Sequence, residues 1–241
     1  MDLVAEHRAV LGVDIAGSAS VPEDTMTQSR QFMQRALRES LTRAGIPEDE
    51  LLTWADRGDG ALVTVPATRV GALLDAAHHV NGLTVAHNRL HRPVRVRLSV
   101  ELGPVAAGDS LSRTRVDASR LLDADAFKTL FTRCAAEATD DRATTALIIP
   151  DRVLNVVFEG HHTTHVHRGD FALLPITVKE YSGNAWVRIP GFDPTTLTDL
   201  RSPQPQPQEH GRVINTINGN VTNAVQAHTI NGGITFGGGR W

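Results

Sequence analysis

The stretch that decides the fold is WADRGDGALVTVP, Trp54–Pro66, in which a Gly-Asp-Gly turn precedes the alternating run Ala61–Val65. Asp-Gly is the commonest pair in two-residue hairpin turns, because those turns need positive backbone angles. We therefore predict an antiparallel hairpin whose first strand lies near Leu51–Trp54 and whose second strand is Ala61–Val65. Asp59 then lies at the tip of the hairpin, where its carboxylate can reach a ligand.

A second acidic residue ends another apolar run. In AVLGVDIAGS, Ala9–Ser18, we predict a strand at Val10–Val13, followed by Asp14 and a Ser/Gly loop. Two carboxylates at adjacent strand ends repel each other, and a divalent cation relieves that repulsion while offering its remaining positions to phosphate oxygens. The loop would present backbone amides at a helix start to the same phosphates. Spacing alone is weak evidence for such a site, since two such aspartates occur by chance in many α/β domains.

Apolar residues recur at helical or alternating spacing as far as Pro190. The further predicted elements are helices at 25–46, Val70–Leu90, Ser119–Cys134 and Asp151–Phe158, and strands at 92–105, Thr145–Ile149, 171–180 and 184–190. This order gives a βαββαβ core with later additions. We therefore expect an α/β sandwich with one helix-covered sheet face.

Composition excludes several classes of function. The net charge of −3, from 24 basic and 27 acidic residues, is unlike the basic face of a dedicated nucleic-acid binder, so we expect no nucleic-acid partner. The single cysteine, Cys134, excludes a disulfide framework and fits a reducing compartment, with a packing role in a helix. No stretch approaches the roughly 20 apolar residues of a membrane span, and the N-terminus lacks a signal-sequence pattern. We expect a cytoplasmic protein without membrane contact.

Composition also divides the 241 residues into three segments. We predict a folded domain over 1–200, a linker over 201–212 and a separate module over 213–241. The linker, RSPQPQPQEHGR, is rich in Pro and Gln, which favours an extended chain that buries nothing. From Val213 to Gly239 there is no Asp, Glu, Lys or Arg, and Asn and Gly recur among isolated β-branched residues.

Five stretches of the first segment occur in the order and spacing of a known family. They are VLGVDIAGSAS, DRGDGALVTVP, RVRLSVELGPV, RVDASRLLD and VKEYSGNAWV. Over roughly residues 8–190 the chain resembles the class III nucleotidyl cyclase catalytic domain, most closely a cyclase-like domain of actinobacterial proteins. The resemblance implies a ferredoxin-like βαββαβ core with extra strands and helices. It also implies conversion of a nucleoside triphosphate to a cyclic nucleotide and pyrophosphate.

The resemblance assigns a metal site to the two aspartates. Asp14 and Asp59 would be the paired ligands, with the Ile15 carbonyl assisting, and two Mg²⁺ or Mn²⁺ ions would bridge the triphosphate. Gly17 and Ser18 would lie in the loop that binds the phosphates.

Three basic residues match the family's substrate-binding positions. By the resemblance Arg97 would bind phosphate, Arg120 would neutralise charge on the α-phosphate in the transition state, and Lys179 would contact the triphosphate. The alternatives are a solvent-facing strand arginine beside Arg95, a helix-surface salt bridge and a solvated lysine. In the family the metals come from one protomer, and the equivalents of Arg120 and Lys179 come from the other. A homodimer is therefore implied.

Two positions depart from the family pattern. Val116 replaces the asparagine that orients the ribose, and Ala55 replaces the lysine that reads adenine. Asp109 could occupy the second base-reading position. Without the lysine, purine selection is not assured, so UTP, CTP or no nucleotide at all remain open as substrates.

The histidine-rich run HHTTHVH, 161–167, is a poor candidate for zinc. Structural zinc sites usually contain cysteine or histidines at a regular helical spacing, whereas this run has the pattern of a polar loop. We interpret His78 and His79 as ordinary helix residues.

The last segment carries INTINGNVTNAVQAHTINGGITF, with VQA at its centre. It resembles the bacterial amyloid-signalling motifs related to the RHIM of animal necroptosis proteins. A charge-free segment with Asn ladders can stack in register. The resemblance implies a partner with the same motif, often a sensor of the NLR type, that binds residues 213–239. A flexible tail without function is the alternative.

Three functional hypotheses follow. The first is an effector of bacterial immunity whose cyclase-like domain is activated by clustering through the tail. The second is a catalytically degenerate module that senses a nucleotide or dimerises, favoured by Val116 and Ala55. A metabolic hydrolase is set aside, because no nucleophile motif is present.

Overall fold

The computed structural model describes residues 5–18, 22–106, 111–138, 143–179 and 181–201. All of them fall within the first of the two units into which the chain divides, Met1–Ser202. The predicted amyloid-signalling segment, 213–241, and all of the predicted linker except Arg201 lie outside the described residues.

The described residues form seven strands and six α-helices in mixed order. In chain order they are β1 Glu6–Ile15, α1 Glu23–Arg43, β2 Thr53–Asp56, β3 Gly60–Pro66, α2 Val70–Asn88, β4 Val96–Val105, α3 Arg113–Asp123, α4 Asp125–Glu137, β5 Thr145–Pro150, α5 Asp151–Glu159, β6 Ala172–Val178, β7 Tyr181–Arg188 and α6 Pro194–Arg201. The sequence pattern predicts all of these except α6 and the division between α3 and α4.

The seven strands form one sheet in the order β2-β3-β1-β4-β5-β7-β6. The first four strands pair antiparallel and, with α1 and α2, form the expected βαββαβ core. Strand β5 joins β4 in parallel, and β7 and β6 then extend the sheet antiparallel. The short β2 and the Pro175-containing β6 are its borders. The predicted α/β fold is confirmed.

Helices cover both faces of the sheet, so the expectation of one helix-covered face is wrong. Leu147 and Ile149 of β5 pack into a core with residues of α1, α2 and α5. Ala146 and Ile148 of the same strand point to the other face and pack with residues of α3, α4 and α6. A strand whose residues are apolar on both sides is typical of burial on both faces.

The predicted helix Ser119–Cys134 is two helices. Ala124, which is 1% exposed, takes an extended conformation with φ −60° and ψ 119°, ending α3 and starting α4. The break contains neither glycine nor proline, so local sequence did not reveal it. It lets both helices bury an apolar stripe, with Leu121 on α3 and Phe127 on α4 in the same core.

The structure confirms the predicted hairpin and shows which residues form its turn. The backbone N–H of Arg57 donates to the Gly60 carbonyl oxygen at 2.9 Å, so the two loop residues are Gly58 and Asp59. Gly58 has the positive φ, 83°. Glycine at the first loop position is the pattern of a type II′ turn.

Candidate functional site

The pairing of β1 with β3 brings Asp14 beside the hairpin turn. Asp14 lies opposite Gly60 in the ladder, and the Ile15 N–H donates to the backbone carbonyl of Asp59 at 3.0 Å. A Cβ at Gly60 would lie 2.2 Å from the Val13 carbonyl oxygen, so only glycine permits this approach. The structure therefore unites the two aspartates that the sequence singles out.

Arg97 of β4 is paired with Asp14. Its Nε and Nη2 donate to the two oxygens of Asp14 at 2.9 and 2.7 Å. The Arg97 side chain is 12% exposed and that of Asp14 is 19% exposed. The solvent-facing alternative for Arg97 is therefore wrong, because its guanidinium is held inside the site.

Burial raises the pKa of Asp14 to about 6, against the lowering effect of Arg97. The nearby charge of Asp59 adds to the rise, and Lys128 of α4 opposes it. The two carboxylates are thus coupled electrostatically, and additional positive charge at this position would stabilise the ionised form of Asp14.

Asp59 is oriented by Ser18, whose hydroxyl donates to Oδ2 of Asp59 at 2.5 Å. Within the described part of the chain, Oδ1 of Asp59 has no hydrogen-bond donor. Gly17, with φ 77°, turns the chain after β1 and places Ser18 there. Ile15 ends β1 and is 4% exposed.

A cavity of about 450 Å³ opens beside Asp59. Its walls come from the loop after β1, the start of α1 and the hairpin turn, and include Ser18, Glu23, Met26, Arg30, Arg57 and Asp59. No group of three or more His, Cys, Asp or Glu side chains in the described ranges is arranged to hold a metal ion. An ion at the aspartate pair would need further oxygens from a ligand or water.

Arg120 belongs to a different cluster. Its Nη1 lies 3.3 Å from Oδ1 of Asp117, one turn earlier on α3. Asp117 and the fully buried Glu101 both lie beside Arg152, whose Nε donates to Glu101 at 2.6 Å. On β4, Glu101 is four residues beyond Arg97, which is roughly 13 Å along a strand.

Lys179 lies in the turn between β6 and β7, where its φ is 51°. Two residues later, the charges of Glu101, Arg152 and Asp117 all act on the hydroxyl of Tyr181, although burial is the main cause that raises its pKa to about 12. Strands β4, β5 and β7 stand between β1 and β6. The structure therefore places Arg120 in one cluster and Asp14 and Asp59 in another, with Lys179 in the turn before Tyr181.

The fold of this chain is similar to that of a solved nucleotide cyclase. An adenylate/guanylate cyclase/hydrolase from Silicibacter pomeroyi matches with a TM-score of 0.52 and 16% identity, over 78% of this chain and 99% of that one. The chain has a cyclase fold. The catalytic core of a rhodopsin-guanylyl cyclase in complex with ATPalphaS has a TM-score of 0.49, with 15% identity over 78% of this chain and 97% of that one. Adenylate cyclases from Trypanosoma brucei in their monomeric state reach 0.48, with 12% identity over 75% of this chain and 87% of theirs.

No protein-family model matches the sequence, and no curated protein matches it. At these identities the shared property is the fold, so the chemistry of this cyclase-fold domain has to be argued from its own residues. None of its described helices combines the length and the apolar character that crossing a bilayer requires.

The positions that depart from the cyclase pattern lie in ordered elements. Val116 is on α3, and Ala55 is on the border strand β2, packed against a small apolar cluster. Asp109 lies outside the described residues. Arg115, which the sequence gives no reason to choose, is 5% exposed and donates to the Thr64 hydroxyl at 2.9 Å.

The histidine-rich run contacts two histidines of α2. The ring of His165 lies 5.2 Å from that of His78 and 4.9 Å from that of His79, between ring centroids. Both carboxylate oxygens of Asp75 accept backbone N–H groups of this loop, at 2.8 Å from Thr164 and from His165. The two helix histidines are therefore part of a contact between α2 and the loop.

Proposed function

We propose that this chain is a nucleotidyl cyclase-like effector that converts a nucleoside triphosphate to a 3′,5′-cyclic nucleotide and pyrophosphate. The supporting observation is the meeting of Asp14 and Asp59 at adjacent strand ends of a cyclase fold, beside a cavity of about 450 Å³. A cavity of that size lies within the usual range of roughly 300–1,000 Å³ for small-molecule sites.

The donor set fits divalent cations. Asp59 has an oxygen without a donor in the described ranges, and each oxygen of Asp14 keeps a lone pair beside its bond to Arg97. We propose that Asp14, Asp59 and the Ile15 carbonyl hold two Mg²⁺ or Mn²⁺ ions, which prefer oxygen ligands. Bound there, the ions would lower the pKa of the ribose 3′-hydroxyl and neutralise the phosphates, favouring attack on the α-phosphorus and departure of pyrophosphate.

The chain's own side chains have supporting roles in this proposal. Burial raises the pKa of Asp14, and the Arg97 guanidinium opposes that rise and so favours the ionised carboxylate. The Ser18 hydroxyl orients Asp59, and the loop that contains Gly17 and Ser18 would lie against the phosphates. Arg120 would neutralise charge on the α-phosphate, and Lys179 would contact the triphosphate.

We propose a homodimer, because the site residues divide into two separate groups within one chain. The aspartate pair of one protomer would face Arg120 and Lys179 of the other. Mixing an Asp59→Asn chain with an Arg120→Ala chain tests this arrangement. Each variant alone would be inactive, whereas the mixture would regain activity, because one site of the heterodimer has both groups intact. A mixture without activity would argue against shared sites.

The test of the reaction uses full-length protein with Mn²⁺ and each of ATP, GTP, CTP and UTP, with cyclic products detected by mass spectrometry. We expect product from at least one nucleotide and none from Asp59→Asn, whose amide oxygen can still accept from Ser18. Asp49→Asn is the matched control, because Asp49 is exposed and does not line the cavity beside Asp59. Product from Asp59→Asn at the wild-type rate would defeat the proposal.

We further propose that the effector belongs to bacterial immune signalling and is clustered through residues 213–239. Absence of charge and recurrent Asn between Val213 and Gly239 support stacking with a partner that bears the same motif, such as an NLR-like sensor. Clustering would raise the local concentration of half-sites that must dimerise. Val225→Lys would place a repelling charge at every layer of the stack and should lower activity only at low protein concentration. Equal activity at all concentrations would refute this role.

The second candidate is a catalytically degenerate cyclase-fold module that senses a nucleotide or acts as a dimerising adaptor. It is favoured by Val116, which has no hydrogen-bonding group for a ribose, and by Arg97, whose ion pair with Asp14 would compete with a cation. Calorimetry with each nucleotide, with and without Mn²⁺, separates the candidates. Binding without any cyclic product would support the module.

A further inference from the structure

The cavity beside Asp59 contains two arginines that the resemblance to cyclases does not assign. Arg30 lies on α1, and Arg57 lies immediately before the two-residue hairpin loop. We propose that their guanidinium groups form a subsite for the polyphosphate of a metal-bound nucleoside triphosphate. This inference rests on the proposed function and names two of this chain's residues that would bind its substrate.

The spacing on α1 directs Arg30 into the cavity. Glu23, Met26 and Arg30 all line it, and residues three and four apart share one face of a helix. Nη2 of Arg30 lies 4.0 Å from the position that a Cβ on Gly58 would take. The guanidinium of Arg30 therefore lies next to the hairpin turn, near the residue that follows Arg57.

Neither arginine has a carboxylate partner in the described part of the chain. Arg97, Arg38 and Arg69 are all paired with an acidic residue, and Arg38 and Arg69 are at least partly exposed. Glu23 and Asp59 line the same cavity as Arg30 and Arg57, yet they form no ion pair with them. The cavity thus holds separate positive and negative groups.

Separate charges of both signs match a cation-polyphosphate complex better than a free anion. The carboxylate pair would take the cation, and the arginines would take phosphate oxygens. A guanidinium can donate two parallel hydrogen bonds to a phosphate, which gives both affinity and orientation. Polyphosphate contacts of this kind do not depend on the base, so they would serve any of the four nucleotides.

The test uses inorganic tripolyphosphate as the probe, titrated calorimetrically into full-length protein with Mn²⁺. Hydrogen bonds to charged groups are worth about 1.5–3 kcal/mol, and each 1.4 kcal/mol is about tenfold in affinity. We expect about tenfold weaker binding for Arg30→Gln and for Arg57→Gln, and about a hundredfold for the double variant. Arg35→Gln is the matched control on α1, since Arg35 is exposed and bonds only its own helix at Gln31. It should bind like the wild type.

Binding of tripolyphosphate by the double variant at wild-type strength would overturn the inference, and so would absence of binding by the wild type. Because both arginines are exposed, we expect the variants to fold, and thermal melting checks that. Nucleotide turnover is measured in parallel. Arginine-dependent tripolyphosphate binding without turnover would leave the subsite standing and defeat the proposed reaction. Turnover with arginine-independent binding would do the reverse.

Discussion

Replacing Gly60 by alanine should separate the two strands that bring the aspartates together. The added Cβ would lie 2.2 Å from the Val13 carbonyl oxygen and 3.3 Å from the Asp14 Cα, both of which are backbone atoms that cannot rotate away. Overpacking of a core typically costs about 1–3 kcal/mol. A domain of about 200 residues loses about 2–4 °C of Tm for each kcal/mol, so we expect a fall of about 2–12 °C.

The assay is thermal melting of the full chain with and without Mn²⁺. In the proposed metal site Asp14 and Asp59 share an ion, so the same displacement should also reduce any stabilisation by Mn²⁺. Gly82→Ala on α2 is the matched control: nothing lies within 4 Å of its added Cβ. Alanine there should stabilise the helix by about 0.5–1 kcal/mol. A Gly60→Ala protein that melts at the wild-type temperature would refute the reasoning.

Three further predictions concern buried and titratable groups. Burial is the main cause that lowers the pKa of His78, so the unfolded state binds the proton more tightly and the free energy of unfolding should fall as the pH drops below about 6.5. Thermal melting at pH 7 and pH 5 should show a smaller fall for His78→Gln, and an equal fall would contradict this. Burial raises the pKa of Cys134 to about 12, so its thiol should resist disulfide reagents until the protein unfolds, and rapid labelling of the native protein would count against that burial. Glu101→Gln removes the buried negative charge that pairs with Arg152 and should lower the free energy of unfolding in urea by about 1–3 kcal/mol. The exposed Glu39→Gln should cost less than about 1 kcal/mol, and equal losses would show that burial does not matter here.

Turn chemistry and alternation were sufficient to predict the hairpin, but not its register. Gly58 and Gly60 flank Asp59, and local preference does not say which glycine takes the positive φ. Pairing with β1 decides which glycine takes the positive φ, because Gly60 is held in the ladder close to the Val13 carbonyl oxygen. The register of a turn can therefore depend on a third strand.

Missed features of the fold have a common origin in tertiary packing. The break at Ala124 has no glycine or proline, and it forms because α3 and α4 both bury apolar residues against the same face of the sheet. α6 is short and begins at Pro194, and its single buried residue, Leu197, packs into that core. Periodicity within a segment does not report such contacts.

In the candidate site, too, local sequence predicts some features, whereas others depend on tertiary packing. The ends of the predicted strands indicated that Asp14 and Asp59 would lie together, because the position of each residue follows from a local element and from the order of the elements. The ion pair of Arg97 with Asp14 joins residues far apart in sequence and depends on the register of β1 against β4. The cavity arginines Arg30 and Arg57 converge only when α1 packs against the hairpin.

The borders of the sheet bear on how the chain could polymerise. An unprotected outer strand can template the strand of another molecule and grow into a fibre. Here one outer strand, β2, has only four residues, and the other, β6, carries Pro175, which lacks an N–H to donate. Both features discourage growth from the folded domain. A filament of this chain would therefore start more readily from a segment outside the sheet than from either of its outer strands.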